Sequence, residues 1–291
     1  MKTLMVCLDM TEMDNMLIRY AAYFFRSLKE VEKVYFVHNI KFDFPETAGN
    51  LLKELDKPLG ELLSEVILEK VAVYFDTEKD RDTFRVIVEQ DSSTSHILAR
   101  TAKTNKVDLI LVGNKISYKG SGRMTETLLG LNSFKSAVLM VPETAYHQIR
   151  HILVPTDFSK ASRKAVELGA YIREQFDADL QCQHVFSIPA HYFPFIPVDN
   201  MEEGLRKEAK KQWQSFAKSL HEFGASGIDC ALTFGRGKST AETIYDFALQ
   251  EQKDLVIINT KGMGAITSFL IGSVAIRLIR LDMHIPLLVT K

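Results

Sequence analysis

The sequence predicts an α/β protein built as two tandem copies of one domain, and three observations carry that prediction. The first is an internal repeat. Residue 1 laid against residue 149 without gaps brings KTLMVCLD over RHILVPTD, with Val6, Asp9, Ala22 and Tyr23 facing identical Val154, Asp157, Ala170 and Tyr171. The second is a strict alternation of short apolar runs with longer segments of helical periodicity. The third is that the runs Leu109–Val112, Ile152–Val154 and Leu255–Ile258 are apolar on consecutive residues. Strands of that kind are covered on both faces, as in a parallel sheet with helices on each side.

The elements follow in order. Strands are expected near 2–8, 33–39, 83–89, 108–113 and 137–141, with helices between them. In the first helix Met13, Leu17, Tyr20, Phe24 and Leu28 form one apolar stripe, matched in the second copy by Ala161, Ala165, Leu168, Ile172 and Phe176. Shortening the offset by two lays VYFVHNI over LQCQHVF, so that His38 faces His184, and VDLILVGNK over KDLVIINTK. The second copy has strands near 150–155, 180–186, 228–234, 254–259 and 285–290, and helices near 160–176, 201–223, 239–251 and 273–281. Pro142–Gln148 reads as the connection, which gives domains 1–146 and 147–291, each of ordinary size.

Composition bounds the function. The 291 residues carry 36 Lys+Arg against 37 Asp+Glu, so no global basic field is available to hold a nucleic acid. Cys7, Cys182 and Cys230 are odd in number and far apart without a CxxC pair, which argues against a disulfide framework or a cysteine zinc site and fits a reducing cytoplasm. The apolar start of MKTLMVCLDM stops at Asp9, and no run reaches the ~20 apolar residues of a membrane helix.

In open parallel sheets a ligand sits beyond the carboxyl ends of the strands, where chain order reverses. In the second copy those tips are Pro155-Thr156-Asp157 and Ile258-Asn259. The fourth strand runs into NTKGMGAITSFLIGSVAIRLI, a Gly-containing loop leading to Gly272-Ser273 at a helix start. Free backbone N–H groups and the helix dipole suit such a place to phosphate; a turn with Ser273 as a plain cap explains the same residues.

The VPTDFS opening, the pair His184-Val185 and the G-x9-G-S run of Gly262, Gly272 and Ser273 resemble the universal stress protein family. The resemblance extends to both copies and implies two Rossmann-like domains, each a five-stranded parallel sheet in the order 3-2-1-4-5. Nucleotide-binding members carry G-x2-G-x9-G-[ST] and hold ATP without being efficient enzymes. Residue by residue, the resemblance implies that Pro155, Thr156 and Asp157 line the adenine and ribose side and that Val185 touches the base. It places Gly262 near the phosphates, with Gly272, Ser273 and Val274 as their cradle. Asn259 stands where the first motif glycine belongs, and a misfit of about 1.4 kcal/mol there weakens binding about tenfold. Asp157 is also a candidate to share Mg2+ with a nucleotide.

The first copy departs further. Val6-Cys7-Leu8-Asp9 keeps the aspartate without the Pro-Thr, Gly113 keeps the first motif glycine, and Ile116 replaces the second. Gly120-Ser121-Gly122-Arg123 precedes a helix but at too short a spacing, so this half reads as a degenerate structural partner. Family members often pair through their last strands, which implies that Ala137–Val141 and Ile285–Thr290 meet as an intramolecular pseudo-dimer, with a homodimer as a further option.

Other motifs are weaker. Gly235-Arg236-Gly237-Lys238-Ser239-Thr240 has the tail of a P-loop, but Leu232 stands where the earlier glycine is required. His147 and His151 straddle a linker and offer no metal set, and no G-x-S-x-G elbow is present. The insertion Ser187–Asn200, with three prolines and three aromatics, reads equally as an adhesive patch or a rigid cover. The leading reading is a cytoplasmic universal stress protein that binds ATP in its second half with a regulatory role. Rivals are a ligand-free interaction scaffold and, with less support, a slow ATP hydrolase.

Overall fold

Both expected runs of strands form, and each assembles a sheet of its own order. The computed structural model describes the chain except for residues 42–54, 77–79, 116–119, 131–134, 189–197, 222–226 and 261–270. It divides into two units, Met1–Glu143 and Thr144–Lys291. The first unit runs β1 (Thr3–Leu8), α1 (Met13–Ser27), β2 (Lys33–Ile40), α2 (Leu59–Ala72), β3 (Phe84–Gln90), α3 (Thr94–Thr104), β4 (Leu109–Asn114), α4 (Gly120–Gly130) and β5 (Ala137–Pro142). The second runs β6 (His151–Pro155), α5 (Lys160–Phe176), β7 (Asp179–Phe186), α6 (Val198–His221), β8 (Asp229–Phe234), α7 (Thr240–Gln250), β9 (Leu255–Asn259), α8 (Ser273–Arg280) and β10 (Leu287–Thr290).

Strand order is β3-β2-β1-β4-β5 in the first unit and β8-β7-β6-β9-β10 in the second, so each is 3-2-1-4-5 in its own count. All pairings within each unit are parallel. The central strands are sealed on both faces: Leu109–Val112, Ile152–Val154 and Leu255–Ile257 are at most 0% exposed. Their run of consecutive apolar residues has this burial as its cause. Helix α1 buries Met13, Leu17, Tyr20 and Phe24 of the expected stripe, with Leu28 buried at its C-cap and Ile18 and Ala21 buried beside them.

The two units repeat their fine structure as well as their order. Asp108 Oδ2 accepts the backbone N–H groups of Lys2 and Thr3 at 2.6 and 3.1 Å, and Asp254 Oδ2 accepts those of Arg150 and His151 at 2.9 and 2.9 Å. Each aspartate clamps the foot of the fourth strand to the foot of the first. At the opposite end, His38 Nδ1 donates to Leu8 O at 3.0 Å and His184 Nδ1 donates to Thr156 O at 2.9 Å. These recurring histidines tie the tip of the second strand to that of the first. Among the described residues no helix is long and apolar enough to cross a membrane.

Replacing Asp254 by Ala leaves two strand-end N–H groups without their charged acceptor, which costs about 1–3 kcal/mol. Trp213, the one tryptophan of the chain, lies in the same unit and reports its unfolding. The denaturation midpoint followed by its fluorescence is expected to fall, and an unchanged midpoint would remove the clamp from the stability of this half.

Candidate functional site

In the second unit the neighbouring strands β6 and β9 are in ladder register only at Ile152–Leu255 and Leu153–Val256. On its other side β6 pairs with β7 as far as Pro155–Gln183. The two central strands therefore part company towards their carboxyl ends, at the point where chain order reverses and open sheets of this kind have their crevice. Pro155, Thr156 and Asp157 stand on one lip; Asn259, Thr260 and Gly272 stand on the other. Val185 lies one strand further along, at the end of β7.

Thr156 is a structural hub. Its N–H donates to Gln183 O at 2.8 Å, its carbonyl receives His184, and its hydroxyl lies 2.9 Å from Ser162 Oγ while accepting Phe158 N–H at 3.0 Å. The side chain is buried, and its hydroxyl and both backbone groups are engaged within the protein. Asp157 Oδ1 accepts the N–H of Ser159 at 3.1 Å, and Ser159 in turn caps α5 by accepting from Ser162 N–H at 3.1 Å. Between them Phe158 adopts a left-handed φ of 61°, which is strained for a bulky residue. Its ring is held by stacking on His184, with centroids 4.2 Å apart, and by Trp213 and Phe216 of α6. Met10, in the same place of the first unit, has φ 62°, so the turn itself belongs to the repeat.

On the far lip, Thr260 N–H donates to Thr290 O at 2.7 Å and Thr260 O accepts Gly272 N–H at 2.6 Å. The end of β9 and the start of α8 are thereby pinned together. Gly262 lies outside the described residues. Gly272 is the N-cap of α8, and the helix start has no side-chain cap. The first helical bond from this end runs from Ile276 N–H to Gly272 O at 3.0 Å, which leaves the first-turn N–H groups of Ser273 and Val274 without intrahelical acceptors. Ser273 is exposed and Gly272 half-buried, so that turn is open to solvent. Strand order thus places Pro155, Thr156 and Asp157 at the tip of β6, and Asn259, Gly272, Ser273 and Val274 at the end of the neighbouring β9 and the start of α8.

The first unit carries the same framework with a different filling. Lys115, just past β4, donates to Asp9 Oδ2 at 2.6 Å and to Thr11 Oγ1 at 2.8 Å, so an ion pair spans the two lips. Burial pushes the Asp9 carboxyl up, but the hydrogen bonds from Lys115 and Thr11 outweigh it and hold it below its ordinary range. The stabilisation this implies is present above the unfolded pKa of about 3.9 and is lost as pH falls through the lowered folded value. The small-residue run expected ahead of a helix is instead part of one, because α4 already starts at Gly120. Gly113 keeps the motif glycine, yet a Cβ there would stand 2.6 Å from Met13 Cγ and 3.6 Å from Leu17 Cδ1. The repeat places Ala161 and Ala165 opposite these two side chains and Asn259 opposite Gly113. One half sets a large residue on a glycine; the other sets an asparagine against alanines. Neither the ion pair nor this exchange of bulk is visible in either copy read alone; both emerge from comparing the copies position by position.

A duplicated parallel sheet in the order 3-2-1-4-5, flanked by helices, defines a Rossmann-like α/β protein. Comparison with known proteins narrows this. Residues 148–291 match the universal stress protein family. A universal stress protein of Methanocaldococcus jannaschii is 29% identical over 146 residues, covering 49% of this chain and 82% of that protein. One of Thermus aquaticus is 27% identical over 124 residues, covering 42% of this chain and 85% of that protein. Among solved structures, a universal stress protein from Archaeoglobus fulgidus superposes with a TM-score of 0.66 at 16% identity, covering 99% of this chain and 98% of that one. At that identity the likeness shows the fold, and it spans both units. The second half of the chain, residues 148–291, belongs to the universal stress protein family.

Gly113→Asn is expected to destabilise the protein by about 1–3 kcal/mol, because the new side chain meets Met13. Adding Met13→Ala should recover part of that loss. A double-mutant cycle in denaturant measures the coupling, and strict additivity would show that the two positions do not compensate.

Proposed function

We propose that the second half binds an adenine nucleotide, ATP in the first instance, in the crevice between β6 and β9. The observation that carries this reading is the start of α8, where Gly272 leaves the first-turn N–H groups uncapped beside the end of β9. Those groups and the positive end of the helix dipole supply the phosphate cradle, with the Ser273 hydroxyl at its edge. Pro155 and Val185 flank the base, and the Asp157 carboxylate stands on the ribose side, where it is also placed to share Mg2+ with the phosphates. Asn259 is accommodated because Ala161 and Ala165 leave room on the helix side that Met13 and Leu17 occupy in the first half. The first half, bridged by Asp9 and Lys115, is a structural repeat that holds no nucleotide. The role we assign is regulatory binding in the cytoplasm rather than turnover.

Gly272 has φ −62° and ψ 147°, a conformation open to any residue. Gly272→Asp therefore folds without strain, and its carboxylate caps the very N–H groups that phosphate needs, as N-cap aspartates do. Isothermal titration with ATP is expected to show affinity reduced at least tenfold in this variant, with thermal stability equal to or above that of the parent. Equal affinity in parent and variant would remove the phosphate from the start of α8.

A further inference from the structure

Two of the three cysteines, far apart in sequence, become neighbours in the second sheet. Cys182 of β7 and Cys230 of the edge strand β8 are register partners. Residues in register on adjacent parallel strands present their side chains to the same face, about 4.8 Å apart at Cα, which lies within the span a disulfide bridges. Both are free thiols; Cys182 is buried and Cys230 half-buried on the sheet edge. The matching first-half positions, Phe36 and Val86, are also register partners and form an ordinary apolar pair. The thiol pair is thus a feature of one copy and not of the repeat.

We propose that Cys182 and Cys230 form an oxidation site that hypochlorous acid, a two-electron chlorinating oxidant, converts to a cross-strand disulfide. Cys230, the accessible member, takes chlorine from the oxidant, giving a sulfenyl chloride and water. The Cys182 sulfur then attacks that sulfur; the S–S bond forms, chloride leaves with the S–Cl electron pair, and the Cys182 proton passes to solvent. Two thiols are oxidised and one hypochlorous acid is reduced to chloride. Burial selects the oxidant. It pushes the Cys230 thiol up to about 12 and Cys182 well above its ordinary value, so both are neutral at physiological pH. Peroxides react through the thiolate and are slowed by its scarcity, whereas hypochlorous acid is the far stronger electrophile toward sulfur. The buried partner in register then closes the bond before the oxidised sulfur climbs to sulfinic acid.

The test uses the full chain with Cys7→Ser, which leaves only this pair. It is treated at neutral pH with a few molar equivalents of hypochlorous acid or, separately, of hydrogen peroxide, then quenched, denatured, alkylated and digested without reductant. A peptide linking Cys182 to Cys230, two hydrogen masses lighter than its parts and released by dithiothreitol, is expected with hypochlorous acid and not with peroxide. Cys230→Ser should abolish it. Two fully alkylated cysteines after hypochlorous acid, sulfinic or sulfonic acid at Cys230 without the linked peptide, links only between chains, or equal linking by peroxide would each overturn the proposal.

Discussion

The pairing of the first and fourth strands governs everything this molecule displays. In each half that pair is clamped at one end by an aspartate, Asp108 or Asp254, whose carboxylate takes two N–H groups at the foot of the first strand. The same pair leaves ladder register towards the other end. In the second half the ladder between β6 and β9 holds for two residue pairs only. A clamped foot and a parted tip together leave room between the two strands at the point where chain order reverses. The histidine at the tip of the second strand, donating to Leu8 O or Thr156 O, then fixes one lip.

Much of this was legible in the amino-acid sequence because the chain states its pattern twice. The consecutive apolar residues of Leu109–Val112 and Leu255–Ile258 announce strands buried on both faces, and the stripe from Met13 to Leu28 announces the helix after the first strand. The conjunction of Asp9 with Asp157 and of His38 with His184 located the tips. Less legible was what surrounds those tips. The aromatic stack of Phe158 on His184, covered by Trp213 and Phe216, joins residues from three separate segments, and no local spacing signals it. The Lys115–Asp9 pair likewise spans more than a hundred residues of chain. Cysteines that look isolated in sequence, Cys182 and Cys230, meet only because β7 and β8 happen to run in that register.

Divergence between the halves has a consistent physical logic. The first has spent its crevice on internal stability: Met13 fills the space over Gly113, and Lys115 crosses the gap to Asp9 and Thr11. The second keeps small residues, Ala161 and Ala165, at the start of its first helix and leaves α8 uncapped at Gly272. A motif glycine is thus a poor guide on its own. The half that retains it has closed over it, and the half that lost it to Asn259 has kept the open helix start.

Native mass spectrometry of the intact chain with added ATP tests the central claim most directly, since it counts ligands per chain. A single adduct that saturates at one nucleotide per chain is the predicted result, with the second half open and the first bridged. Two nucleotides per chain would contradict the closure of the first half, and none at saturating ATP would contradict the site between β6 and β9.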